Sequence, residues 1–309
     1  MASPGASPVA STRVIPFPPD SVCVVSDGGL ATELERRGHD LSDALWSARL
    51  LADAPQEITA AHLAFYRAGA SIATTASYQA SFDGFQARGI DHAQAARLMR
   101  RSVELADAAR AELADDGRPR WIAASVGPYG AAMPGQSEYR GRYGLTVSEL
   151  TAWHRPRLEV LADAGADVLA LETVPDVDEG EALAAAVTGT GVRAWLTYNI
   201  LGTTTRAGQP LADAFAVAAD VPEIVAVGVN CCAPADVAPA ITAARAATDK
   251  PVIVYPNSGE GWDGAHWTGP SRFTANMAAD WITHGARIIG GCCRVSPTDI
   301  AELARVVLS

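Results

Sequence analysis

Four of the five cysteines stand in two vicinal pairs, Cys231-Cys232 and Cys292-Cys293. Three thiolates around one point suit Zn²⁺, which takes sulfur at about 2.3 Å in tetrahedral geometry. Vicinal side chains in an extended strand point to opposite faces. Both Cys292 and Cys293 can therefore ligate only if the chain leaves the strand there, a freedom that Gly290 and Gly291 supply. No glycine pair precedes Cys231-Cys232, so one of those two is expected to ligate and the other to pack. The set expected is three sulfurs with one position open, the pattern of a catalytic rather than a structural site. Two other readings stay open: a closed four-sulfur site that uses Cys232, and cysteines serving as small apolar filler. Cys23 is read as core.

An open three-thiolate zinc is suited to a substrate thiol, because coordination removes a proton that a free thiol of pKa about 8.5 mostly keeps at neutral pH. The net negative charge of such a centre keeps the bound sulfur electron-rich and attracts a cationic electrophile, of which a sulfonium methyl donor is one. Two carboxylates fit an amino-acid substrate. Asp27 precedes Gly28-Gly29 and Glu172 precedes Thr173. Together they would hold an ammonium group, with the glycine amides reaching its carboxylate. The plain alternatives are a helix cap or turn residue for Asp27 and a buried ion pair with an arginine for Glu172.

These residues need a scaffold that brings distant segments together. From residue 21 onward, short apolar runs alternate with Ala-rich amphipathic ones. Strands are expected over 22–26, 71–77, 121–126, 167–171, 193–199, 224–230, 251–255 and 287–290. Helices are expected over 56–68, 91–114, 147–164, 178–187, 210–219, 234–247, 271–284 and 297–307. Strict alternation of eight and eight predicts an α/β fold, a single (β/α)8 barrel, with a doubly wound open sheet as the alternative. Thr146 and Glu149 have capping-box spacing. Pro234 and Pro297 suit first turns, and Gly69, Gly165 and Gly285 suit helix ends. The long loops 27–55, 127–146 and 256–270 would then lie on the C-terminal face, where such barrels carry their chemistry. Asp27, Tyr78, Glu172, Asn230, the cysteine pairs and Asn257 all fall at strand ends on that rim.

Composition bounds the partners. The 309 residues include 24 basic and 35 acidic ones, a net charge of −11, with 49% hydrophobic and 19% charged. An acidic chain without a basic block is a poor ligand for nucleic acid. The longest uncharged stretch, 121–137, is broken by Gly and Pro and does not read as a membrane span. Residues 1–20 carry five prolines and read as a disordered leader rather than a signal peptide, leaving 21–309 as one domain. The cysteines are then expected in a reducing cytoplasm, free of disulfides. Lys250, the sole lysine, precedes the seventh expected strand, so no Schiff-base lysine sits at the rim. None of the six histidines ends a strand, and helix-surface or loop positions are expected for them. The dinucleotide and phosphate-loop motifs are missing too.

The residues resemble the zinc-dependent homocysteine S-methyltransferases over nearly the whole chain, 22–308. The similarity runs through Asp27-Gly28-Gly29, Leu45-Trp46-Ser47-Ala48, Thr75-Ala76-Ser77-Tyr78-Gln79-Ala80 and Ser125-Val126-Gly127-Pro128-Tyr129-Gly130-Ala131. It continues in Ser137-Glu138-Tyr139-Arg140-Gly141, His154-Arg155-Pro156-Arg157 and Glu172-Thr173. The most specific blocks come last: Gly228-Val229-Asn230-Cys231, Tyr255-Pro256-Asn257-Ser258-Gly259-Glu260 and Gly290-Gly291-Cys292-Cys293-Arg294.

The resemblance implies a barrel that methylates homocysteine to methionine, with Cys231, Cys292 and Cys293 as zinc ligands and Asp27 and Glu172 as amino-group contacts. Gly28, Gly29, Asn230 and Asn257 join the expected substrate contacts. Tyr78 looks like a tyrosine that approaches the metal when substrate is absent, or else an aromatic rim residue. Trp46 is expected to line the donor or substrate pocket, with a core position as the alternative. The 137–141 and 255–260 blocks look most like the branch that uses S-methylmethionine, with S-adenosylmethionine as a second donor. No obligate protein partner is implied. A module that docks to a methyl-carrying partner is the reading from a different class.

Overall fold

The computed structural model describes residue 17 and residues 22–41, 46–133, 137–262 and 267–309. All eight expected strands form: β1 (Val24–Val25), β2 (Ile72–Thr74), β3 (Trp121–Val126), β4 (Val168–Val174), β5 (Ala194–Tyr198), β6 (Ile224–Asn230), β7 (Val252–Tyr255) and β8 (Ala286–Ile289). They pair in parallel in the order β1-β8-β7-β6-β5-β4-β3-β2, which is a (β/α)8 barrel and not a doubly wound sheet. The register Val24↔Ile288 and Val25↔Ile289 brings the last strand back to the first. The seam between β1 and β2 is held by a backbone bond from Ser71 N–H to the Val25 carbonyl at 2.7 Å. One residue pair further on, the Asp27 carboxylate stands in for a strand carbonyl and accepts the Thr74 N–H at 2.6 Å.

The eight expected helices form as α1 (Pro55–Ala68), α2 (His92–Ala111), α3 (Val147–Ala162), α4 (Val177–Val187), α5 (Leu211–Ala216), α6 (Val237–Ala247), α7 (Met277–His284) and α8 (Pro297–Val307). The Thr146–Glu149 capping box opens α3, and glycines with φ of +111° and +116° end α1 and α7. The start of α7 departs from the expectation by about half its length. Residues 271–273 are drawn instead onto the Ser258 carbonyl, which accepts the Arg272 and Phe273 N–H groups at 2.7 and 2.8 Å. The expected long loop 27–55 contains two further helices, Leu30–Arg36 and Trp46–Asp53.

Alternation along the strands divides the apolar residues. Leu169 and Leu171 face the helices, whereas Val168 and Ala170 face the barrel interior with Trp121, Ala123, Trp195, Ala226, Ile253 and Ile288. Phe17 closes the lower end of that interior. Of the expected leader, residues 1–16 and 18–20 lie outside the described residues, but Phe17 is 4% exposed and packs edge-on against Trp121 at 5.7 Å. The Arg193 guanidinium donates to its carbonyl at 3.1 Å. Barrel packing thus begins ahead of residue 21. Phe17→Ala is expected to lower stability by about 3 kcal/mol, read as a shift of the denaturant midpoint at constant slope. An unchanged midpoint would show that the plug carries no load.

Two histidines correct the expectation of surface positions. His62 and His154 are fully buried. His154 Nε2 pairs with the Glu179 carboxylate at 2.9 Å and its Nδ1 with Arg157 at 2.8 Å.

Candidate metal centre and active site

The ends of β6 and β8 are pinned to the segment that follows β7. Cys231 donates its N–H to the Tyr255 carbonyl at 3.2 Å and accepts from Asn199 Nδ2 at 3.1 Å. Cys292 N–H reaches the Pro256 carbonyl at 2.8 Å, and Cys293 N–H reaches Asn257 Oδ1 at 3.1 Å. Asn257 N–H donates in turn to the Cys232 carbonyl at 2.9 Å. One short segment therefore fixes both cysteine pairs. Cys231, Cys292 and Cys293 bring their sulfurs within 4.8 Å of one another, with Cys231 and Cys292 at 2.7 Å.

Of the first pair, one sulfur turns toward Cys292 and Cys293 and the other packs, by an unexpected route. Cys231 adopts φ +50°, a left-handed conformation that L residues other than Gly seldom take, and this turns its side chain toward the other pair. Cys232 points away into the hydrophobic core, 2% exposed, and its burial pushes its thiol well above the ordinary value. A four-sulfur site using Cys232 does not fit that arrangement. Cys23, expected in the core, is only half-buried.

Gly290 and Gly291 are required for a reason other than backbone freedom. Neither has a positive φ. A Cβ at Gly290 would lie 2.7 Å from the Asp27 carbonyl oxygen, and one at Gly291 would lie 2.3 Å from Val295 Cγ1. The same holds for Gly28 and Gly29, whose Cβ atoms would meet the Val295 and Cys292 carbonyl oxygens at 2.4 and 2.6 Å. These four glycines let the β1 and β8 ends lie against each other. The Gly29 N–H is already taken by the Val295 carbonyl at 2.9 Å, so of the two glycines only Gly28 keeps its amide for a substrate carboxylate.

A buried polar floor lies beneath the sulfurs. Glu172 accepts from Ser125 Oγ and from the Tyr255 hydroxyl, the latter at 2.9 Å, rather than from an arginine. Tyr255 also meets Trp195 Nε1 at 3.0 Å and Thr197 Oγ1 at 2.8 Å. Asn230, expected to contact substrate, has its amide taken up by the Thr173 N–H, the Thr173 hydroxyl and the Thr197 hydroxyl at 2.7–2.8 Å. These bonds hold Thr173 at φ +63°, a conformation costly for a β-branched residue, and Asn230 also lines the inner cavity. Asp27 accepts from Thr74 Oγ1 at 2.9 Å as well as from the Thr74 N–H. It is thus neither a helix cap nor free, yet it faces the cavity.

The charges in this floor are unbalanced. Burial lifts Asp27 and Glu172 to about 7 each, against the pull of their hydrogen bonds. Hydrogen bonds from Cys231 and Cys292 draw the Cys293 thiol well below its ordinary value, while its bonds to Cys231 and Cys293 push the Cys292 thiol well above. Three sulfurs gathered at one point form a donor set that fits a divalent cation, which would stabilise all three as thiolates.

Two cavities meet at the sulfurs. The inner one, about 240 Å³, is lined by Asp27, Thr74, Tyr78, Glu172 and the three cysteines. The outer one, about 550 Å³, is lined by Arg206, Asp236, Asn257, Glu260 and Trp267. Glu138, Tyr139, Cys231 and Cys293 line both. Tyr78 stands on the inner rim, half-buried, its hydroxyl lifted well above the ordinary value by burial. Trp46 opens the helix Trp46–Asp53, and its side chain lies outside the described residues.

Several site residues escape a reading by strand ends. Ser125 sits inside an expected strand, and only its inward register, every second residue, marks it. Glu138 and Tyr139 belong to a 3-10 turn, Ser137–Tyr139, with no periodic signal. The His154–Arg157–Glu179 group braces the rim from behind, since Glu179 also accepts the Tyr129 N–H and Arg157 donates to the Gly127 carbonyl.

The same architecture occurs in known proteins. The family model described as homocysteine S-methyltransferase matches residues 24–307. The chain is 47% identical over 287 residues to homocysteine S-methyltransferase of Escherichia coli strain K12, covering 90% of this chain and 93% of that protein. It is 43% identical over 308 residues to homocysteine S-methyltransferase 4 of Zea mays, covering 92% and 89% of the two chains. The crystal structure of the metallated form of the homocysteine methyltransferase MmuM from Escherichia coli superposes with a TM-score of 0.84 at 45% identity, covering 92% of this chain and 96% of that one. With its barrel, glycine-packed rim and three gathered cysteines, the chain belongs to the homocysteine S-methyltransferase family of methyl-transferring enzymes.

Proposed function

We propose that the protein moves a methyl group from a sulfonium donor, S-methylmethionine or S-adenosylmethionine, to the thiol of homocysteine, with zinc held by Cys231, Cys292 and Cys293. The observation that carries this reading is the meeting of three sulfurs and two buried carboxylates across one small cavity. The solved relative described as metallated supports a metal here.

Zinc held by Cys231, Cys292 and Cys293 would favour the deprotonated form of an acceptor thiol at neutral pH. Asp27 and Glu172 bind the homocysteine ammonium, and its charge replaces the protons they otherwise keep. Gly28 N–H, which no acceptor takes among the described residues, is offered to its carboxylate. The inner cavity, smaller than drug-sized pockets of about 300 Å³ and upward, suits one amino acid and fixes the direction of its sulfur. Tyr78 and Tyr139 cover the reacting sulfur and exclude water. In the transfer, the acceptor sulfur forms a bond to the methyl carbon while the methyl–sulfonium bond breaks. That electron pair stays on the donor sulfur, which leaves as a neutral thioether. The acceptor's thiol proton goes to solvent on binding, so no side chain need serve as general base.

A cytoplasmic setting belongs to this reading, supported by free thiols that must stay reduced. Among the described residues, no helix is long and apolar enough to cross a membrane. Purified protein assayed with homocysteine against each sulfonium, with metal content measured on the same preparation, tests the proposal. Methionine formation at one zinc per chain is expected, and zinc-loaded protein that makes none from either donor would refute it. Asn257 provides a further check on how the centre is held. Asn257→Ala removes the acceptor for Cys293 N–H and is expected to weaken zinc retention about 10- to 100-fold in chelator competition. Retention equal to wild type would show that the Asn257 bond does not position Cys293.

A further inference from the structure

The outer cavity is not needed by the acceptor, and its chemistry differs from that of the inner one. Arg206 is the only basic residue lining either cavity among the described residues. Its guanidinium lies over the Tyr139 ring at 5.4 Å and is paired with no carboxylate among those residues. Asp236 faces the same space and is engaged by the Gly202 N–H at 3.1 Å. Glu260 is already tied to Ser258 Oγ at 2.7 Å and Arg294 at 3.2 Å. Arg206 and the partly free Asp236 therefore face a cavity that reaches Cys231 and Cys293, with a third carboxylate, Glu138, at the boundary it shares with the inner cavity.

We infer that the outer cavity binds the amino-acid end of the methyl donor, with Arg206 on its α-carboxylate, Asp236 on its ammonium, and its sulfonium against the Tyr139 ring beside Cys231 and Cys293. This rests on the proposed function and adds where the donor lies. The charges match a zwitterion with an extra sulfonium charge: one cation for the carboxylate, one anion for the ammonium, and an aromatic face with the electron-rich centre for the sulfonium. The placement also meets the demand of displacement at carbon. Acceptor and donor sulfurs must approach the methyl group from opposite sides, which requires two adjoining spaces, and the two cavities adjoin at Glu138, Tyr139, Cys231 and Cys293. Methyl moves across that boundary, and the demethylated thioether remains in the outer cavity until it leaves toward solvent.

The test uses zinc-loaded wild type, Arg206→Ala, Arg206→Lys and Asp236→Asn, with S-methylmethionine varied at saturating homocysteine and then the reverse. Arg206→Ala is expected to raise KM for S-methylmethionine about 10- to 100-fold, the value of a charge-assisted pair, while KM for homocysteine stays within about twofold. Arg206→Lys should recover part of the loss, Asp236→Asn should shift the same constant, and calorimetry should show the same weakening of donor binding. Unchanged donor KM in Arg206→Ala overturns the assignment, as does a rise confined to homocysteine, which would place the acceptor outside. Wild type that methylates homocysteine from neither sulfonium overturns the functional reading itself, a result separable from the other two.

Discussion

Cys292→Ser is expected to lose its stoichiometric zinc and about three orders of magnitude of methyl-transfer rate, because the centre must both hold the ion and deprotonate the acceptor thiol. Serine keeps the size of the side chain but offers a hydroxyl whose proton zinc removes far less readily. The backbone that presents the residue does not depend on the sulfur: Cys292 N–H is held by Pro256 and its carbonyl accepts the Val295 N–H at 3.1 Å. The variant should therefore fold, which the circular dichroism spectrum and melting temperature would confirm. Cys232→Ala is the matched control. It removes the neighbouring thiol from the hydrophobic core, so it should cost some stability while leaving zinc content at wild-type level. Full zinc and activity in Cys292→Ser would remove the three-sulfur centre from the mechanism. Zinc loss in Cys232→Ala would restore the four-sulfur alternative.

The barrel was legible because its signals are periodic and repeated. Alternation of β-branched runs with Ala-rich helices located all eight strands, since each strand buries both faces and each helix buries one stripe. The gathering of the cysteines was legible for a related reason: the ends of β6 and β8 lie close in a closed barrel, while the choice of Cys231 over Cys232 came from the family resemblance. What stayed hidden depends on contacts between distant segments. Nothing local to Cys231 announces φ +50°, which its bonds to Tyr255 and Asn199 impose. Asn230 reads as a rim amide, and nothing local to it shows that it also braces Thr173 and Thr197. The Gly290-Gly291 pair pointed to the right residues for the wrong reason, because close packing against Asp27 and Val295 has no signature distinct from backbone freedom. Phe17 lies within a proline-rich stretch, and only the hollow beneath Trp121 and Trp195 gives an aromatic residue there a place to bury.

Glu172→Gln should weaken binding of the acceptor's amino-acid end about 100-fold and flatten its pH dependence, with Asp27→Asn acting in the same direction. Burial places both carboxyls at about 7 in the unliganded protein, so near neutrality each keeps a proton that the unfolded chain would release near pH 4. Between those limits the folded state binds more protons than the unfolded one, and stability of the unliganded protein falls as pH rises. Binding has the opposite sign. An incoming ammonium needs charged carboxylates, so affinity rises as pH climbs through 7 and levels off above it. Norleucine, which carries the amino-acid end without a thiol, separates this titration from that of the acceptor sulfur. Calorimetry with norleucine from pH 6 to 8 should show tightening in the wild type and a shallower slope in Glu172→Gln, which has one fewer group to ionise. Glutamine can still accept from Tyr255 or Ser125, so the floor should survive the exchange. A wild-type profile flat across that range would mean that the two carboxylates do not receive the ammonium, and the inner cavity would lose its claim on the acceptor.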